Sequence, residues 1–210
     1  MSVGPSRAAE LDTLDAYLAL DEETRRDIEV VEGVATPREQ RNREHQKTGR
    51  RLANALESGI ERHRRSLSRP ENAPSVEVNT EIEVILWDVP LHLRKPDVVV
   101  HACPKPGEWL RADDVIIAVE VLSPRSGARD RIHKAGEYAK AGIPHYLIVQ
   151  IDTQGAVSIE RYALLGSGEY SRSKVAHRDI DALALSMTTP FVLDINWLQL
   201  GRCSARRRCR

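Results

Sequence analysis

The sequence predicts an α/β protein in one domain, with a mixed sheet lying between helices, and three observations predict it. Two short runs, D-V-V-V-H at 97–101 and V-I-I-A-V-E-V at 115–121, are continuously apolar, as strands covered on both faces are. Residues 75–87 alternate instead, with Val76, Val78, Thr80, Ile82, Val84 and Leu86 on one side and Glu77, Asn79, Glu81 and Glu83 mainly on the other, the pattern of a half-buried strand. A helix-patterned segment at 126–141 separates the second apolar run from H-Y-L-I-V-Q-I at 145–151. That strand, helix, strand unit has a length suited to a right-handed crossover.

The remaining elements follow in chain order. Residues 11–20, L-D-T-L-D-A-Y-L-A-L, form a short amphipathic helix with leucines at 11, 14 and 18. D-I-E-V-V-E-G-V-A-T at 27–36 reads as a strand or hairpin turning at Gly33 and ended by Pro37. From 39 to 66 the period becomes helical, with His45, Leu52, Leu56, Ile60 and His63 on one stripe and arginines on the other faces, until R-P-E-N-A-P breaks it. Strands at 156–163 and 169–176 complete the sheet, and F-V-L-D-I-N-W-L closes the domain. The expected organisation is a flexible N-terminus at 1–10, a domain at 11–198 and a basic flexible tail at 199–210.

At 210 residues a chain buries roughly 70% of its unfolded surface, enough for one good core. Lys and Arg number 31 against 31 Asp and Glu, which excludes a histone-like polycation. Aromatics are 4% of residues, too few for the stacking rows of single-strand binders. The neutral total is nevertheless sorted. Residues 1–36 hold three basic against nine acidic side chains, residues 37–69 ten against four, and the last ten residues carry five arginines and no acid. Codon bias or an anionic partner explains the arginine excess equally well. Three cysteines with no leader or long apolar span predict a soluble, cytoplasmic protein with reduced thiols. Cys203 and Cys209 alone do not complete a zinc site.

One carboxylate, Glu120, sits inside an apolar run, where it must be neutralised, paired or bound to a cation. It is either half of a structural salt bridge or a metal ligand. Asp97, opening the preceding apolar strand after Pro96, is the natural second carboxylate, since adjacent strands lie about 5 Å apart. Asp130, Lys134 and Tyr138 are four apart on the following helix and share a stripe. Lys134 is therefore either a surface lysine paired with Asp130 or a cation reaching back to the carboxylates. His45 lies on an apolar stripe and is a core histidine or a phosphate or metal contact. Arg38, Arg41, Arg43, Lys47, Arg50 and Arg51 nearby are either a solvated face or phosphate contacts. His101 and His133 have no partners at metal spacing and read as structural or surface residues.

Taken together, P-D-V-V-V, then E-V-L-S-P-R-S, then D-R-x-x-K-x-x-x-Y-A-x-A-G-I-P-x-Y-L-I-V resemble the core signature of the Uma family of restriction-endonuclease-like proteins, in the PD-(D/E)XK nuclease superfamily. I-E-V-V-E-G-V and E-H-Q-K-T-G-R-R-L upstream are similar to the family's acidic strand and histidine-bearing helix. The resemblance implies a restriction-endonuclease-like fold and cleavage of DNA, as duplex, with Mg²⁺, or Mn²⁺ in its place, by a homodimer if both strands are cut. It implies Asp97 and Glu120 as metal carboxylates, the carbonyl of Val121 as a further ligand, and Lys134 as the group that orients water or neutralises a phosphoryl oxygen. It adds Glu29 as an extra carboxylate and His45, Glu32, Tyr138 and Tyr146 as neighbours. Two departures stand out. Leu122 occupies the position where the superfamily's E-x-K places lysine, and Gln150 stands where an aspartate is common. A nuclease-fold module that binds DNA or protein without cleaving is the alternative reading, and a hydrolase of small phosphoesters a third.

Overall fold

A computed structural model describes residues 10–39, 41–69, 75–123, 128–188 and 190–201. Of the segments expected to be flexible, 1–10 and 199–210, residues 1–9 and 202–210, with Cys203 and Cys209, lie outside these, as does the side chain of Asp130.

The chain opens with two single-turn helices, each started by a side-chain cap. Thr13 accepts from Ala16 N–H ahead of α1 (Leu14–Leu18), and Asp21 accepts from Thr24 N–H ahead of α2 (Glu22–Arg26). The helix read over 11–20 is thus shorter than its leucine pattern. The hairpin is where the sequence places it. β1 (Ile28–Val31) pairs antiparallel with β2 (Val34–Pro37) across Glu32 and Gly33, both at positive φ, as a two-residue turn matching strand twist requires. At Gly33 a Cβ would lie 2.1 Å from Asp12 Oδ1. α3 (Arg43–Ser66) begins at Asn42, whose side chain accepts from His45 N–H, and buries Leu52, Ala53, Ala55 and Leu56 along one stripe.

Residues 75–87 are not one strand. Val76–Asn79 forms β3 at the edge of a six-stranded sheet, while Val84–Trp87 forms β4 of a separate four-stranded one. Glu81 takes φ +59° at the break. Alternation reports which face a residue presents and is blind to which sheet it joins, so a turn that preserves the alternation leaves no trace in the pattern. The partner of β4, β5 (His92–Arg94), went unread because its H-L-R carries two polar residues, yet all three are buried.

The large sheet runs β10 (Tyr170–His177), β9 (Gly155–Leu164), β8 (His145–Asp152), β7 (Val115–Leu122), β6 (Val98–Ala102), β3. Within it β7 and β8 pair in parallel, joined through α4 (Ala128–Lys140), and the other pairings are antiparallel. Side-chain alternation divides the central strands between two cores. Val98, Val100, Ile117, Val119 and Val121 face α3 and the C-terminal hairpin β11 (Leu183–Met187) and β12 (Leu193–Asn196). Val99, Ala118, Ile148 and Tyr146 face Tyr138 of α4. This two-sided cover accounts for the continuous apolar runs. A short helix, α5 (Trp197–Leu200), then packs its Leu200 into the first core. Among the described residues no helix is long and apolar enough to cross a membrane.

Candidate active site

The register of the central strands sets two carboxylates face to face. β6 and β7 pair Val98 with Val119 and Val99 with Ala118. Extended by one residue, that register puts Asp97 opposite Glu120 on the α4 side of the sheet. Both are buried, as is Glu29 on β1, and all three line one cleft with His45, Arg94 and Lys134. The cleft encloses about 90 Å³, room for several waters.

Each carboxylate is held by donors of a different element. Asp97 Oδ2 accepts from Val121 N–H at 2.6 Å and lies 3.1 Å from His45 Nε2. Its Oδ1 accepts no hydrogen bond and meets Arg41 Nη2 as an ion pair at 2.5 Å. Glu120 Oε1 accepts from the Tyr138 hydroxyl at 2.7 Å, and Oε2 from Lys134 Nζ at 3.2 Å. Glu29 accepts from Arg94 Nη1 at 2.8 Å and Lys95 N–H at 3.0 Å, with Lys134 Nζ 3.8 Å away. Lys134 therefore does reach from α4 to the strand ends.

These surroundings drive the acids apart. Burial opposes ionisation of Asp97, but His45, Arg41 and the Val121 N–H outweigh it and hold the carboxyl below its usual range. Glu29 is likewise held low despite burial, by Lys134 and Arg94. Glu120 goes the other way. Burial raises it to about 7 and the charges of Asp97 and Glu29 add to this, with Lys134 opposing. Burial, with Glu120 and Glu29 beside it, lifts the Tyr138 hydroxyl well above the ordinary tyrosine value.

Not every expected neighbour joins the cleft. Tyr146 sits behind Tyr138, ring centroids 5.3 Å apart, within a cluster that includes Tyr162 and Tyr170. Glu32 lies at the hairpin turn beside His92 and Lys140. Leu122 lines the cleft as a half-buried side chain, and Gln150, its register partner on β8, donates to Glu160. His101 is buried against Asn79 at 2.9 Å, a structural placement, and His133 is exposed. Of the basic residues before and on α3, Arg38 and Arg41 line the cleft. Arg43 and Arg50 are exposed, Lys47 pairs with Glu44, and Arg51 donates to Leu200 C=O.

Two residues escaped the sequence reading. Arg94 spans the site, binding Glu29 through Nη1 and clamping both oxygens of Glu137 through Nε and Nη2 at 2.7 Å. Glu137 sits three residues after Lys134, so the clamp fixes the turn of α4 that delivers the lysine. The available signal was the arginine in the alternating run L-H-L-R at 91–94.

The donor set fits a hard divalent cation. Asp97 offers a buried oxygen with no hydrogen bond, and its register partner is a second carboxylate. Among the described residues no three His, Cys, Asp or Glu side chains are grouped so as to hold an ion by themselves. Main-chain oxygen and water would have to complete the shell, as Mg²⁺ commonly requires.

The chain matches the family model Uma2, described as putative restriction endonuclease, over residues 14–197. It is also similar to a solved structure from Anabaena variabilis ATCC 29413 described as a putative nuclease belonging to DUF820. The two share 19% identity, with a TM-score of 0.62, over 90% of this chain and 96% of that one. This likeness shows the fold. No curated protein matches.

Proposed function

This chain belongs to the Uma2 family of restriction-endonuclease-like proteins, and from that premise we propose that it is a divalent-metal-dependent endonuclease hydrolysing phosphodiester bonds of duplex DNA. The observation that carries the reading is the convergence of the buried Asp97, Glu120 and Lys134 on one cleft. Asp97, Glu120 and the carbonyl of Val121 would hold Mg²⁺ or Mn²⁺. When bound, the ion supplies Lewis acidity and a water of lowered pKa.

The chain's own residues do the rest. His45 and the Val121 N–H fix one oxygen of Asp97, and the other accepts no hydrogen bond. Tyr138 fixes Glu120 Oε1 from below. Lys134, held between Glu120 and Glu29, brings an ammonium to where a phosphoryl oxygen gains charge, and such preorganised charge lowers the barrier most where water is excluded. Glu29, locked by Arg94, supplies the extra carboxylate. The cleft is too small to enclose a nucleotide, so DNA would lie across its mouth, beside Arg38. One cleft serves one strand, and cutting both calls for a homodimer.

The test is nicking of supercoiled plasmid with Mg²⁺ or Mn²⁺ by the wild type, Asp97→Ala and Glu120→Ala. Activity in the wild type alone is the expected result; equal activity in all three would sink the assignment. A second reading, a nuclease-fold module that binds DNA or protein without cleavage, is favoured by Leu122 in the lysine position and by the balance of Arg41, Lys134 and Arg94 against the three carboxylates. It predicts salt-sensitive binding and no product with any divalent ion.

A further inference from the structure

We propose that Arg41 is an internal counter-ion occupying the cation's side of Asp97, a positioning residue that sets the affinity of the site for metal. The inference rests on the metal-site reading above. Asp97 divides its oxygens unequally. Oδ2 is taken by Val121 N–H and His45, both fixed by a strand and a helix. Oδ1 is buried, accepts no hydrogen bond and, among the described residues, has the Arg41 guanidinium against it. Arg41 Nη2 donates instead to Lys95 C=O at 3.4 Å, so its hold on Oδ1 is charge rather than directed bonding.

Arg41 differs from the other cleft cations in what it leaves behind. Arg94 is clamped by Glu137, and Lys134 lies between two buried acids. The far end of the Arg41 fork, Nη1, instead meets Glu81 at 2.5 Å, and Glu81 is 43% exposed on the turn between β3 and β4. A guanidinium displaced from Asp97 thus keeps an anionic partner at the surface and is not stranded in a buried site. A hard cation coordinating at about 2.1 Å cannot share Oδ1 with a guanidinium already at contact, because two like charges would then stand side by side in a site of low dielectric. Binding of the ion therefore includes expulsion of Arg41, and the chain holds its metal more weakly than its carboxylates alone would.

Titration calorimetry of the full chain with Mn²⁺ tests this without reference to cleavage. Wild type is expected to bind and Asp97→Asn to fail. Arg41→Gln should bind about tenfold tighter. Glu81→Gln, altered at an exposed turn that tolerates the change, should bind several-fold weaker, since Arg41 then loses the surface anion that draws it away from Asp97. Both shifts should persist at about 0.5 M salt, where a distant field is screened within a few ångström but a buried contact is not. Unchanged or weaker binding in Arg41→Gln, or shifts that vanish in salt, overturns the counter-ion role and leaves the metal site standing. Absence of binding in both wild type and Arg41→Gln, or full binding by Asp97→Asn, overturns the metal site and the counter-ion with it.

Discussion

Lys134 and Glu137 are three residues apart on α4 and have opposite tasks. Lys134 points at the two acids of the cleft, and truncating it removes a charge aimed at the reacting phosphoryl group. Lys134→Ala should lower plasmid nicking by about 100-fold or more while Mn²⁺ binding by calorimetry survives, because the carboxylates remain. Glu137 answers Arg94 and His92. Burial opposes its ionisation, yet His92, 3.3 Å away, and the hydrogen bonds from Arg94 bring it down to about 2. A carboxyl whose folded pKa lies below its ordinary value stabilises above that value and ceases to do so as pH falls through the folded one. Its contribution is therefore complete above about pH 5 and lost between roughly 4.5 and 2. Urea denaturation across that range should show the gap between wild type and Glu137→Gln closing on acidification.

At the level of elements, the start of α3 matters most for the cleft. Asn42 accepts from His45 N–H at 2.9 Å, so the same bond that starts the helix sets the backbone of the histidine that steadies Asp97. Asn42→Ala should cost about 1 kcal/mol, seen as a lower urea midpoint with unchanged slope, and activity should fall further than stability alone explains. The β3 to β4 break has a comparable role. By turning the chain at Glu81 it moves β4 and β5 into a second sheet, which brings Arg94 and the adjoining Glu29 strand over the end of β7. A single strand through 75–87 would have left the cleft without its third carboxylate.

For the whole molecule, equal numbers of acidic and basic side chains conceal a local arrangement. The acids gather at the strand ends, and Arg38 and Arg41 line the same cleft while Arg43 and Arg50 are exposed on α3. A net charge of zero is compatible with a groove that attracts phosphate, since potential follows the nearest charges. If that groove is used, the logarithm of DNA affinity falls linearly with the logarithm of salt concentration. Fluorescence anisotropy with labelled duplex from 50 to about 200 mM salt reads the slope, and a flat line would mean these arginines are only a solvated surface.

Sequence alone determined the central strands, the helix between them, the hairpin at Gly33 and the pairing of Asp97 with Glu120 as candidates. Each of these is local, resting on an alternation, a turn residue or a charge within an apolar run. The tertiary structure decided the rest. Whether Glu29 belongs with Glu120 depends on which sheet β5 joins, and no period in the chain reports that. Arg94, Glu137 and Arg41 act through partners 40 to 65 residues away on other elements. Their significance lies in which acid each one meets, and a charge in a sequence does not name its partner until folding has excluded water from between them.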